Sequence, residues 1–344
     1  MHNHAAAHTS ANQAKQKAKH ISLMIFLRLG ALPFIMLVSL VTFTIVADNF
    51  LTANNIANIL RQSSYLVIVA LGQMLTLLTG GFDLSVGTIM AFSSVVGALM
   101  MTWSIINFPD AVVLSILLGV IAGILSGILI GSLNGVGVAV FNVSPFIMTM
   151  GMASVGFGLA LYMTGGVPVY GIPMQFSDAF GYGRLWGIST PVWVAILLSA
   201  VLFILVHKTR LGRYLYAVGG NIKAARLSGI NTQWSLFKAY VLCGVMAALA
   251  GLLMTARLDT GDANIGVQFP LESIAACVIA GVSLRGGIGR VENVILGALL
   301  IGVFKNGMNL SGVDSYMQTV VIGVLLIFAV VMDQFRLKML AKAK

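Results

Sequence analysis

The sequence predicts an all-α fold, a polytopic transmembrane helical bundle of about ten transmembrane helices. Hydrophobic residues fill 58% of its 344 positions and charged residues only 9%, against roughly 25% charged in an average soluble domain. Stretches of about 20 nearly uncharged residues recur along the chain, the length a helix needs to cross a hydrocarbon layer of about 30 Å. These runs are too long and continuous for barrel strands, which leaves helices as the structure that pairs all backbone groups within lipid.

In chain order, residues 1–27 read as a flexible cytoplasmic tail, with His2, His4 and His8 among Ala, Gln and Lys and no cleaved signal peptide. A membrane domain follows at 28–335, with candidate spans at 29–47, 63–79, 85–104, 111–130, 145–164, 190–206, 235–255, 270–283, 293–303 and 316–332. The eighth and ninth are short. They read either as short helices shielded by protein or as a broken, reentrant pair around Gly286, Gly287 and Gly289, which makes eight crossings the alternative to ten. A short basic tail closes the chain at 336–344. Gly123 and Gly127 form a small-residue ridge, and Gly151, Gly156 and Gly158 offer further positions for close helix approach.

Charge bias orients these spans. Lys15, Lys17, Lys19 and Arg28 precede the first, which places the amino terminus inside. Six crossings later comes a connection with Lys208, Arg210, Arg213, Lys223 and Arg226 and no acid. Four more crossings return the carboxyl end, with Arg336, Lys338, Lys342 and Lys344, to the cytoplasm. Asp48, Asp110, Asp178, Asp259, Asp262 and Asp314 fall on the opposite side, beside Arg61, Arg184, Arg257 and Lys305. The net charge of +10 therefore reflects cytoplasmic connections, and nucleic acid is not expected as a partner.

No G-x-x-x-x-G-K-[ST] phosphate loop and no H-E-x-x-H element occur, so neither ATP binding by that route nor a metal site is expected, and no catalytic residue is assigned. Cys243 and Cys277 lie inside spans and read as small packing residues. The span interiors are almost free of ionisable groups, which disfavours a proton- or ion-driven relay. Asp83 and Glu272 are the boundary cases. Asp83, followed by Leu84 and Ser85, reads either as a helix-start carboxylate or as part of a gating turn near the pathway. The most informative soluble-facing stretch is 209–234. There Gly219, Gly220 and Asn221 precede a short helix from Ile222 to Leu227, stopped by Ser228 and Gly229, on which Ala224, Ala225 and Leu227 present small apolar surface between Lys223 and Arg226. That pattern fits either docking into a groove of a cytosolic partner or a loop on the membrane surface.

Five motifs then bear on identity: TGGFDLSVGT at 79–88, PFIMTMG at 145–151, TRLGRYLYAVGGNIKAARLSGI at 209–230, AACVIAGVSLRGGIGR at 275–290 and NGMNLSGVDSYMQ at 306–318. In their order and spacing the chain resembles the permease subunits of bacterial ATP-binding-cassette sugar importers, the branch of the ribose, galactose and xylose permeases. Phe82, Arg285 and Ile288 depart from the residues commoner in that branch. The resemblance implies a non-enzymatic subunit of the bacterial inner membrane with both termini cytoplasmic. It implies a second permease chain, expected to be identical, and a cytosolic ATPase that carries the ATP and Mg. A periplasmic binding protein would deliver a monosaccharide or related small polyol. It also implies that Gly219, Gly220, Asn221, Ala224, Ala225, Leu227, Gly229 and Ile230 couple to the ATPase; from the residues themselves, Asp83, Ser85, Gly286 and Gly287 read as a gating or structural turn. The competing class is a self-contained secondary transporter or channel.

Overall fold

The computed structural model describes residues 32–342. The amino-terminal tail with its histidines and basic residues lies outside the described residues, as do Lys344 and the side chains of Arg336, Lys338 and Lys342. The described chain is helical almost throughout. Its order is α1 (Leu32–Val46), α2 (Ala53–Leu78), α3 (Val86–Asn107), α4 (Val112–Ala139), α5 (Pro145–Thr164), the one-turn α6 (Met174–Phe176), α7 (Thr190–Lys208), α8 (Arg210–Gly220), α9 (Ile222–Leu227), α10 (Thr232–Leu258), α11 (Phe269–Ile279), α12 (Val291–Leu310) and α13 (Ser315–Lys342). One π-helical turn (Ser177–Tyr182) and a two-stranded antiparallel ribbon, β1 (Arg184–Leu185) with β2 (Ile188–Ser189), link α6 to α7.

Six of these helices are long and apolar enough to cross a membrane, not about ten: α3, α4, α5, α7, α10 and α12. The difference has local causes. α2 is 26 residues long, but Asn54, Asn55, Asn58, Arg61 and Gln62 in its first half dilute its hydropathy. α11 has only 11 residues, and the described apolar runs in α1 and α13 are likewise short. The ninth element is corrected in the other direction. Asn293, Lys305 and Asn306 shorten the apolar run that sequence alone shows, yet the helix continues through them and spans 20 residues.

The core forms around α2 and α10. Every residue of α2 from Ser63 to Leu78 is buried, because neighbours close on it from all sides. α4 supplies a glycine ridge that lets backbones touch: Gly123 faces the Ser93 carbonyl of α3, while Gly127 and Gly131 face Gly244 and Tyr240 of α10. The predicted ridge is therefore present. The expected close approaches on α5 are not, except at Gly156, which packs on Thr88; Gly151 and Gly158 meet nothing within 4 Å. Most of α5 is exposed, with only Thr149, Gly156 and Ala160 buried. Cys243 and Cys277 are free, buried thiols.

Contacts sort the connections into two ends of the bundle. At one end the α2 terminus meets the 284–290 loop and α8: Gly287 N donates to Leu78 O at 2.9 Å and Tyr216 Oη to Gly289 O at 2.7 Å. At the other, Asn55 and Asn306 exchange amide hydrogen bonds at 2.8 and 2.9 Å, Val169 bridges to Gly261, and Ser177 Oγ donates to Asp259 Oδ1 at 2.6 Å. The acid-poor basic connections fall at the first end and the Asp-bearing ones at the second, the division that the charge pattern predicts.

Residues 259–268 connect α10 to α11 without helix and run alongside α3. Gly261 lies against Ala98, Asp262 N donates to Ser94 Oγ at 3.2 Å, and Gly266, with φ +86°, lies against Met90 and Gly87. From Ala98 to Gly87 is about 16 Å of helix rise. The shortness of α11 follows, since this non-helical chain, turns over 263–268, has already covered part of the depth.

Candidate functional site

The candidate site is the basic end of the bundle. α8 is amphipathic there: Gly212, Leu215 and Val218 are buried, while Arg210, Arg213 and Tyr214 face outward. Burial and the nearby Glu292 carboxylate both raise the Tyr216 phenol above its ordinary range, which keeps it a donor to Gly289 O.

α9 occupies the residues that the sequence predicts, Ile222–Leu227. Asn221 caps it, its Oδ1 accepting from Lys223 N and Ala224 N at 3.0 Å each. Gly229, with φ +78°, ends it, and Ile230 N reaches back to Ala225 O at 3.1 Å. Ala224 is exposed, and Leu227 is 91% exposed. Burying a Leu side chain is worth about 1.5–3 kcal/mol, so Leu227 standing clear at the tip of an ordered, capped helix is the salient apolar feature of this end. Ile222 stands out beside it, 42% exposed. Sequence reasoning missed Ile222, although an apolar residue five positions before Leu227 was visible. It also missed Trp234, half-exposed, stacked on Phe237 at 5.0 Å and covered by Lys238 Nζ 5.1 Å from its ring centroid.

Two of the predicted small residues belong to the interior instead. Ala225 is buried, since it faces back toward the body of the protein, so the apolar surface of α9 is Ala224 and Leu227 without it. Gly219 and Gly220 close α8 rather than open α9. Gly220 meets nothing within 4 Å, whereas a Cβ on Gly219 would overlap the Leu78 carbonyl and lie 2.5 Å from Gly287 N. Gly286 and Gly287 adopt φ of +89° and +73°, where residues with a Cβ are strained. A Cβ on Gly286 would lie 2.8 Å from Gly80 N and 2.9 Å from the Gly219 Cα. Four glycines from three segments thus form one backbone-to-backbone junction joining α8, the 284–290 loop and the end of α2.

Directly beyond that junction lies the 80–85 segment. Asp83 is fully buried and turns on itself: its Oδ1 accepts from Ser85 N at 2.8 Å and Ser85 Oγ at 2.6 Å. Ser85 is the N-cap residue of α3, and its side chain makes no cap bond. Asp83 therefore stabilises the turn before the helix, not the helix's own first amides. Three other helices hold the segment. The Gln73 amide pairs with both Asp83 N and Asp83 O at 3.0 Å once its oxygen and nitrogen are placed to suit them. Thr149 Oγ1 accepts from Leu84 N at 3.1 Å. Asn134 Nδ2 donates to Ser85 Oγ at 2.8 Å and lies 3.4 Å from Asp83 Oδ2. Asn134, the one Asn in a helix whose other polar residues are three serines, was not singled out from the sequence; an amide at such a position was the available signal. So was Tyr240, whose buried hydroxyl makes no hydrogen bond and sits against Gly81.

Six long apolar helices, a docked amphipathic helix with an exposed capped one beside it, and a buried polar turn linked to both through glycine define a polytopic membrane transport protein. Comparison with known proteins narrows this. The family described as the permease component of branched-chain amino acid transport systems matches residues 55–330. The chain is 40% identical over 301 residues to the ribose import permease protein RbsC of Escherichia coli strain K12, covering 87% of this chain and 91% of that one. It is 41% identical over 328 residues to RbsC of Bacillus subtilis strain 168 (95% and 98%). It is 35% identical over 324 residues to the galactose/methyl galactoside import permease protein MglC of Escherichia coli strain K12 (92% and 96%). No solved structure matches. The chain belongs to this permease family, in the branch of permease subunits of ATP-binding-cassette sugar importers. It is a transport subunit and not an enzyme; in such systems ATP and Mg reside on a separate ATPase.

Proposed function

We propose that this chain forms one half of a pathway for a monosaccharide or related small polyol, paired with a second, identical permease chain. In this reading a periplasmic binding protein delivers the sugar at the Asp-bearing end, both termini are cytoplasmic, and the cytosolic ATPase receives α9 at the basic end. The membrane domain is 28–335, flanked by cytoplasmic tails at 1–27 and 336–344, with the coupling region at 209–234. The sugar class rests on the relatives named for ribose and for galactose. The observation that carries the coupling assignment is Leu227, an exposed apolar side chain on a helix capped at both ends.

Within that region Ala224, Leu227 and Ile222 would contact the ATPase, Gly220 would allow close approach, and Asn221, Ala225, Gly229 and Ile230 would hold α9 in shape. Gly219, Gly286 and Gly287 would pass its movement to α2, and Asp83 and Ser85 would form the turn that moves with it. Reconstituted permease, ATPase and binding protein should take up pentose or hexose with ATP only when all three are present. Ala224→Glu or Gly220→Asp, both at exposed positions, should leave membrane insertion intact and abolish ATP-dependent uptake. Normal uptake and ATPase association in either variant would remove the docking assignment.

A further inference from the structure

The opposite end of the bundle carries a second polar cluster that the transport reading does not use. Arg61 and Tyr65 lie one turn apart on α2. Arg257 lies in the last turn of α10 with its guanidinium 4.9 Å from the ring centroid of Tyr182. Arg184 begins the ribbon. The pieces are pressed together by backbone contact, since a Cβ on Gly181 would overlap Ala256 and lie 2.9 Å from Arg257 N. Arg61 is within electrostatic reach of both Arg257 and Arg184, and Tyr65 of Arg257 and Arg61. Tyr182 thus brings Arg257 near the ribbon strand that Arg184 begins, and Arg61 lies within electrostatic reach of both.

The described residues form two ion pairs, His207 with Glu292 and Lys305 with Glu272, and none of the three arginines takes part. Acids do occur on the same elements, Asp178 and Asp259, but Asp259 accepts from Ser177 and neither lies within ion-pair distance of an arginine. Arg61 spends one donor on Asn58 Oδ1 at 2.8 Å. Tyr65, 94% buried by its 6% exposure, has a hydroxyl with no hydrogen-bond partner among the described residues. Three cations without a counter-ion beside an unpaired buried donor make a cradle for an anion with several acceptor oxygens.

The surroundings indicate which anion. Trp186 at the ribbon tip is 82% exposed, with its ring 5.6 Å from that of Trp193. Leu185 is exposed beside Arg184, and Leu60 beside Arg61. The ribbon leads directly into α7, whose outward side carries exposed Ile196, Leu197, Val201 and Ile204. Exposed tryptophan at the end of an apolar helix marks the headgroup level of a bilayer. We infer that Arg61, Arg184, Arg257 and Tyr65 bind the phosphodiester of an anionic phospholipid at the end of the bundle opposite the coupling helix.

The test uses full-length permease in detergent, freed of lipid and then given dioleoylphosphatidylglycerol or, as control, dioleoylphosphatidylcholine. Native mass spectrometry should show preferential retention of phosphatidylglycerol, and the melting temperature should rise with it alone. Arg61→Gln, Arg257→Gln and Arg184→Gln should each weaken retention about fivefold. Arg184 is exposed on the ribbon, so its variant keeps the fold. Tyr65→Phe should leave the lipid-free melting temperature unchanged or higher, because the hydroxyl has no partner there, yet shrink the rise that phosphatidylglycerol produces. Equal retention of the two lipids, or arginine variants that hold phosphatidylglycerol as the wild type does, would overturn the inference. So would variants that lose stimulation by the binding protein with lipid retention intact, which would assign the cluster to protein docking.

Discussion

Gly219 and Gly220 are adjacent in one helix, and replacing each by alanine separates packing from helix propensity. A methyl group on Gly219 must displace the Leu78 carbonyl or the Gly287 amide. Overpacking of that kind costs about 2 kcal/mol, and losing the Gly287 N to Leu78 O bond adds about 1. The better helix propensity of alanine returns up to about 1 kcal/mol. The net loss is then about 2 kcal/mol, or a fall of roughly 3 °C in melting temperature for a chain of this size. Gly220→Ala meets no atom within 4 Å and should be neutral or slightly stabilising. The assay is thermal unfolding of both variants and the wild type in one detergent, followed by ATP-dependent uptake at a temperature where all are folded. Gly219→Ala should lose uptake as well as stability. Equal melting temperatures for the two variants would refute the junction.

Three further outcomes are expected. Asn221→Ala removes both bonds that start α9 and should cost that helix about 1 kcal/mol, seen as faster hydrogen exchange across 222–228 with the bundle unaffected; unchanged exchange would mean that tertiary contacts hold the helix without its cap. Lys305→Met leaves buried Glu272 without the ammonium 2.8 Å away and should destabilise by about 3 kcal/mol, whereas Lys305→Met with Glu272→Gln should recover much of it; a double variant no better than the single one would show that the pair contributes nothing by charge. Asp83→Asn keeps an oxygen for the Ser85 amide but sets a second amide against Asn134, so uptake should fall while the protein still inserts, and a wild-type uptake rate would leave Asp83 with no functional part.

The bounds of α9 were legible because its signals are local: an Asn at the start, a Gly at the end and six residues of helix formers between them. The glycine junction was not, since Gly219 and Gly220 look alike in sequence and differ only in what another segment places above them. Ala225 fails for the same reason. On a six-residue helix, one position of difference decides between the interior and water, and nothing in the sequence fixes the rotation. The number of crossings was misjudged because apolar character and helix length separate here. α2 is long and polar at one end, while α11 is apolar but preceded by a non-helical run of turns that sequence hydropathy reads as a connection. Asp83 drew attention from its motif, but Asn134 and Gln73, which complete its surroundings, come from 51 residues later and from the middle of α2.

The junction of Gly80, Gly219, Gly286 and Gly287 also bears on mechanics. Between most helices side chains form a compliant layer, and a change of rotamer can absorb a small displacement before the next backbone feels it. Here there is no such layer. Were α8 pushed, main chain would meet main chain, with no side-chain layer between α8, the 284–290 loop and the end of α2 to take up the displacement. The same rigidity acts in reverse: a solute that holds the turn in one position would hold the exposed helix in register too, so that occupancy at depth can be felt on the surface as a fixed angle.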